Sequence, residues 1–161
     1  MIVLGVDPGL SSTGYGAILI KNSSFDVIEK GYIKTNPTSD KAKRLGELYL
    51  KFEELLMRIK PDLVAVENAF SLLRYPKAGI ILGEVLGVIY LSIFQKNVAY
   101  LDMTPREIKN AIVGYGNAPK EQIRKAVKRI LGISKIPSSH ASDAIAAAIA
   151  GFYRLRQKKE R

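Results

Sequence analysis

Cysteine is absent from this 161-residue chain, which excludes a disulfide framework, a thiolate metal site and a cysteine nucleophile, and suits a reducing, cytoplasmic setting. Histidine occurs once, as His140, and acidic residues are outnumbered, 15 Asp and Glu against 25 Lys and Arg. The start, MIVLGVDPG, has no basic leader and reaches Asp7, Pro8 and Gly9 within a few residues, so it reads as a strand and turn rather than a signal peptide. No apolar run makes a comfortable membrane span of roughly 20 residues. The longest, Ala78 to Phe94, is interrupted by Glu84 and carries spaced glycines, and reads as a buried helix of a soluble protein with no membrane partner. No internal repeat is present.

The chain does have enough apolar material, 47% of its residues, for one substantial core, and reads as a single domain over residues 1–157 with a basic tail at 158–161. The closing RLRQKKER has the composition of a frayed end. The formal charge of +10 is uneven: Thr104 to Arg161 holds 13 Lys/Arg against 4 Asp/Glu, and Met1 to Met103 holds 12 against 11. A positive field concentrated in the last third suits a polyanionic partner, nucleic acid or an acidic membrane surface; a soluble basic surface is the plainer alternative.

Periodicity gives the order β-β-β-α-β-α-β-α-α-α. Ile2 to Val6 is a branched apolar run ending at Asp-Pro-Gly, and Gly14 to Ile20 and Phe25 to Thr35 complete an antiparallel meander. Asp40 to Ile59 repeats apolar residues at helical spacing, and DLVAVE, Asp62 to Glu67, is a strand ending in a carboxylate. Lys77 to Gln95 predicts a helix, Val98 to Leu101 a fifth strand, Thr104-Pro105 a helix start, Pro119 to Leu131 a helix, and Ser138 to about Gln157 the last. Helices between the later strands imply parallel pairing there. The class is therefore α/β, a five-stranded mixed sheet with the antiparallel meander first, flanked by helices.

Asp7 and Glu67 stand at the C-terminal ends of two strands, where α/β sheets leave a crevice open. Two carboxylates there can share a hard cation; a turn cap for Asp7 and a solvated strand end for Glu67 are the competing readings. His140 and Asp143, three residues apart, share a helix face. The residues after them, Ala144 to Ala150, are small and uncharged, so the helix can lie close to a sheet, where Asp143 is costly unless paired, hydrated or metal-bound. Three carboxylates and an imidazole form an oxygen-rich set suited to Mg²⁺ or Mn²⁺. Two such ions roughly 4 Å apart hydrolyse a phosphodiester without a covalent intermediate.

GVDPGLSSTGYG at 5–16, VAVENAF at 64–70, MTPREIKNAIVGYGNAPKEQI at 103–123 and HASDAIAAAIA at 140–150 resemble, in order and spacing, the successive motifs of RuvC resolvases. The resemblance implies an RNase H-like fold and a homodimer that nicks a four-way (Holliday) junction symmetrically in DNA recombination and repair. It implies two Mg²⁺ ions per site, with Mn²⁺ as a substitute, on Asp7, Glu67, Asp143 and His140, where many members carry aspartate. It also implies DNA contacts from Lys109, Lys120, Phe70 and Arg74, and a RuvA–RuvB-type branch-migration complex as partner. Gly79, Gly83 and Gly87 recur every fourth residue as a smooth stripe; the residues alone suggest internal packing, the resemblance a dimer interface.

Three rivals remain. DPGLSSTG also suits the phosphate-cradling turn of an actin-like or sugar-kinase-like ATPase, but those need a second lobe that a chain this short lacks. An RNA-processing nuclease of the same superfamily and a non-catalytic branched-DNA-binding module are the others.

Overall fold

The computed structural model describes residues 1–22, 24–68, 76–134 and 139–159, with the side chains of 139, 140, 158 and 159 left out. The strands are β1 (Ile2–Asp7), β2 (Ser12–Lys21), β3 (Ser24–Lys34), β4 (Leu63–Glu67) and β5 (Ala99–Met103). The helices are α1 (Lys41–Ile59), α2 (Pro76–Gln95), α3 (Pro105–Val113), α4 (Lys120–Leu131) and α5 (Ser139–Lys159). The sheet order is β3-β2-β1-β4-β5: β1, β2 and β3 pair antiparallel, and β1, β4 and β5 pair parallel. The expected mixed sheet and its element order are thus observed.

Alternation along the strands divides the interior in two. Val3, Ile18, Ile20, Leu63, Ala65 and Met103 face α5, with Ile108 of α3 and Ile123 and Val127 of α4 beside it. Leu4, Val6, Ala17, Val64 and Val66 face Leu48, Phe52, Leu55, Leu56 and Ile59 of α1 and Val85, Leu86, Ile89 and Ile93 of α2. The starts of α1 and α3 have local causes. The Asp40 side chain accepts from the Lys43 N–H to cap α1, and Thr104 with Glu107 forms a capping box on α3 with Pro105 in the first turn.

Several expectations need correction. α2 is not a buried helix: Ile80, Leu91 and Phe94 are 64%, 51% and 80% exposed, and at 20 residues it is long and apolar enough to cross a membrane by length and composition. Nor does its glycine stripe pack internally, because Gly83 and Gly87 are exposed and a methyl on either would meet nothing within 4 Å. α2 turns the opposite side, Val85, Leu86, Ile89 and Ile93, to the core. β5 runs two residues further than expected because Asp102 and Met103 pair with Val66 and Glu67 of β4. The C-terminal stretch does not fray at Arg154: α5 continues through Lys159, and the Arg154 guanidinium donates to the Asp102 carbonyl at 3.0 Å and ion-pairs with Glu107 at 3.2 Å.

Candidate active site

β1 and β4 pair in parallel with Val6 opposite Val66, so the next residue on each strand is a carboxylate, and Asp7 and Glu67 finish side by side at the C-terminal edge of the sheet. The pleat decides their direction. Gly5 and Ala65, two positions earlier, lie under α5, so Asp7 and Glu67 point to that face as well.

The third carboxylate comes from the helix above. α5 rests directly on the strands: a methyl on Gly5 would overlap the Ala144 carbonyl oxygen, and one on Gly16 would come within 3.2 Å of the Ile145 amide nitrogen. Absent side chains on the strands and small ones on the helix therefore set the separation of the two layers. Asp143 immediately precedes Ala144, at the point where α5 crosses β1 near its carboxylate end.

The charges respond to this convergence. Burial pushes the Glu67 carboxyl up to about 7, and the negative charges of Asp7 and Asp143 add to the rise, while Lys120 and Lys109 oppose it. The Lys120 ammonium donates to Asp143 Oδ2 at 3.4 Å. Glu67, Lys109, Lys120 and Asp143 line one cleft of about 150 Å³ over an apolar floor of Ile108, Ile123 and Ala146. α3 supplies Lys109 and the first residue of α4 supplies Lys120, so the helical pair beyond β5 carries cations back over the sheet edge.

A larger cleft of about 440 Å³ opens on the other side of α3, around Glu107, Asn110, Arg154 and Arg156. It contains one carboxylate, and none of Asp7, Glu67 and Asp143 lines it.

Among the described residues no group of three or more His, Asp or Glu side chains is drawn in closely enough to cage an ion. The donor chemistry nevertheless fits a divalent metal: the oxygens are hard, and crowding of like charge is relieved most directly by a cation. Of the residues singled out in the sequence, Asp7, Glu67, Asp143, Lys109 and Lys120 gather here. His140 lies one turn before Asp143 on α5, with its side chain outside the described residues, as are Phe70 and Arg74 entirely.

The sequence reading missed a polar cluster behind the site. Asn68 Nδ2 donates to the Tyr90 hydroxyl at 3.1 Å, and that hydroxyl donates to Asp102 Oδ1 at 2.6 Å. The only sequence signal was alternation along β5, which turns Tyr100 and Asp102 away from the face taken by Leu101 and Met103.

A mixed five-stranded sheet with carboxylates gathered at parallel strand ends beneath two lysines defines a protein of the RNase H-like nuclease fold. Comparison with known proteins narrows this. The family model for crossover junction endodeoxyribonuclease RuvC matches residues 3–151. The RuvC of Caldicellulosiruptor saccharolyticus is 43% identical over 151 residues, covering 92% of this chain and 90% of that protein. The RuvC of Natranaerobius thermophilus is 35% identical over 161 residues, covering 98% and 99%. Thermus thermophilus RuvC, solved in complex with a Holliday junction substrate, superposes with a TM-score of 0.91 at 31% identity, covering 98% of this chain and 96% of that one. The chain belongs to the RuvC family of crossover junction endodeoxyribonucleases.

Proposed function

We propose that this protein resolves four-way DNA junctions by paired, symmetric hydrolytic nicks, with Asp7, Glu67 and Asp143 holding Mg²⁺, or Mn²⁺ in its place, at two ions per site, and His140 completing the set. The observation that carries the reading is the meeting of Glu67 of β4 and Asp143 of α5 in one cleft with Lys109 and Lys120, with Asp7 finishing β1 beside Glu67. Divalent ions bound there would supply Lewis-acid stabilisation of the phosphate and would lower the pKa of a water so that hydroxide is available to attack it. The chain's own residues do the rest. Asp7, Glu67 and Asp143 fix the charge at one point of a rigid sheet edge. Glu67, its carboxyl pushed up to about 7, exchanges a proton readily near neutral pH, and a bound cation would displace it. Lys120 leaves Asp143 to meet the incoming phosphate, and with Lys109 it gives affinity without reading base sequence. Phe70 and Arg74, in the segment after β4, contact the opened junction.

Paired nicking calls for two sites related by symmetry, and α2 supplies a surface for a second copy. Ile80, Gly83, Gly87, Leu91 and Phe94 follow one another at three- and four-residue spacing along its solvent side, with the bare backbone of the two glycines in the middle. Two such faces pack closely about a two-fold axis as an isologous homodimer. The protein works in the cytoplasm alongside a RuvA–RuvB-type branch-migration complex.

The test is cleavage of a labelled synthetic four-way junction against a linear duplex and a structured RNA, with and without Mg²⁺. Symmetric cuts in opposing strands of the junction, with the duplex and RNA intact, support the reading. Preferential cutting of RNA moves the chain to the RNA-processing class, and junction binding without cutting in Mg²⁺ or Mn²⁺ reduces it to a binding module.

A further inference from the structure

Successive residues at the end of β4 point to opposite faces of the sheet. Glu67 turns to α5 and the carboxylate cleft; Asn68 turns to the α2 side, where it is 6% exposed. That side is otherwise packed with Val64, Val66, Ile89 and Ile93, so a primary amide there needs partners. It has them at two levels. The Asn68 backbone N–H donates to the Met103 carbonyl at 2.9 Å, extending the β4–β5 ladder past Glu67. Its side chain donates to the Tyr90 hydroxyl, which in turn donates a hydrogen bond to Asp102 Oδ1 on β5 at 2.6 Å. The Tyr90 ring is braced against Tyr100, with centroids 5.4 Å apart. One hydroxyl thus ties together the end of β4, the middle of α2 and the end of β5.

We propose that Tyr90, held by Asp102 and bonded to Asn68, is a positioning residue for Glu67: it fixes the last peptide of β4 and so the carboxylate on the other face. The inference rests on the reading of Glu67 as a metal ligand. The argument is geometric. Glu67 and Asn68 share a peptide group, so a backbone rotation there that carries the Asn68 amide away from Tyr90 also swings the Glu67 side chain. Packing alone would be served by phenylalanine at position 90 and an aliphatic residue at position 68. The relay of hydroxyl, amide and carboxylate adds orientation, and groups that orient a metal ligand are worth about 10- to 100-fold in metal affinity or activity.

The experiment uses the purified full-length protein and measures single-turnover junction cleavage at saturating enzyme, junction affinity, Mn²⁺ affinity by titration, and melting temperature. Tyr90→Phe is expected to slow cleavage and weaken Mn²⁺ binding, each about 10- to 100-fold, while junction affinity stays at the wild-type value. Asp102→Ala is expected to act in the same direction. Asp102→Asn, which keeps an acceptor for the hydroxyl, restores most of the loss, and Tyr100→Phe behaves as wild type. A Tyr90→Phe protein that melts earlier yet cuts and binds Mn²⁺ like wild type overturns the inference and leaves only a structural strut. Should Tyr90→Phe fail to fold, the Asp102→Asn and Asp102→Ala pair decides, and equal behaviour of those two overturns it. Glu67→Gln separates the two levels: normal cutting by Glu67→Gln overturns the ligand reading and this inference together, whereas a dead Glu67→Gln beside a normal Tyr90→Phe overturns this inference alone.

Discussion

On the α5 face the strands present Gly5, Gly16 and Ala65 among larger residues, and the helix meets these three with Ala144, Ile145 and Gly151; on the α1–α2 face they present Leu4, Val6, Val64 and Val66 to Phe52, Leu55 and Ile89. The first face is held by near contact between backbones, the second by filled volume. The difference falls where the charges are. Asp7, Glu67 and Asp143 all lie between the sheet and α5, and the distance of Asp143 from the two strand-end carboxylates depends on how closely α5 can approach. Apart from the Asn68–Tyr90–Asp102 relay, the opposite face is aliphatic packing with no such distance to keep, and it can absorb small changes of side-chain shape.

Gly5→Ala offers the largest test of this contrast. One added carbon would overlap the Ala144 carbonyl, so α5 must lift; the expected cost is about 3 kcal/mol or more in chemical denaturation. Ile89→Val, which removes a carbon from the other face, should cost about 1 kcal/mol and leave cleavage unchanged. If Gly5→Ala were the milder of the two, the contrast between the faces would be broken.

Next in size is the outer surface of α2. At Gly87 an added Cβ meets nothing within 4 Å, and leucine improves helix propensity, so Gly87→Leu should fold while its bulk blocks a second copy. Sedimentation is expected to show a monomer, and junction cuts should lose their pairing. A stable dimer would remove α2 from the interface.

The raised Glu67 pKa sets the third prediction. Below pH 7 a proton competes with metal for the site, so apparent Mg²⁺ affinity should fall by about tenfold per pH unit, with about one proton released per binding event. The sign for folding follows from the same shift. A carboxyl raised from 4.5 to about 7 on folding stabilises the metal-free protein fully below pH 4.5, and that contribution is lost as pH rises to about 7. Metal titrations across pH 5.5 to 8 with no pH dependence would contradict the crowded-carboxylate picture.

The smallest effect is expected from Lys120→Ala, which should weaken junction binding modestly and reduce the salt slope by about one unit. An unchanged slope would return Lys120 to a purely internal role beside Asp143.

The two faces also differed in how readable they were. The α5 side was written locally: Asp7 and Glu67 close apolar runs, and the small residues after Asp143 announce a helix pressed onto a sheet. α2 was misread because its apolar residues run nearly all the way round, so periodicity could not say which side stays in solvent. β5 was cut short because Asp102 is a poor strand former by propensity and is held by tertiary partners, the parallel ladder with β4, the Tyr90 hydroxyl and the Arg154 guanidinium. The Asn68–Tyr90–Asp102 relay draws on three elements and has no local signature at all. The meeting of Lys120 with Asp143 likewise depends on how α4 packs beside α5.

The most direct measurement of the central claim is junction cleavage and junction binding by Asp7→Asn in the same Mg²⁺ buffer. Loss of a carboxylate charge from the cleft should abolish cutting, while the basic surface keeps the junction bound with wild-type affinity. Retained paired nicking by Asp7→Asn would contradict the assignment of the strand-end carboxylates as the catalytic centre.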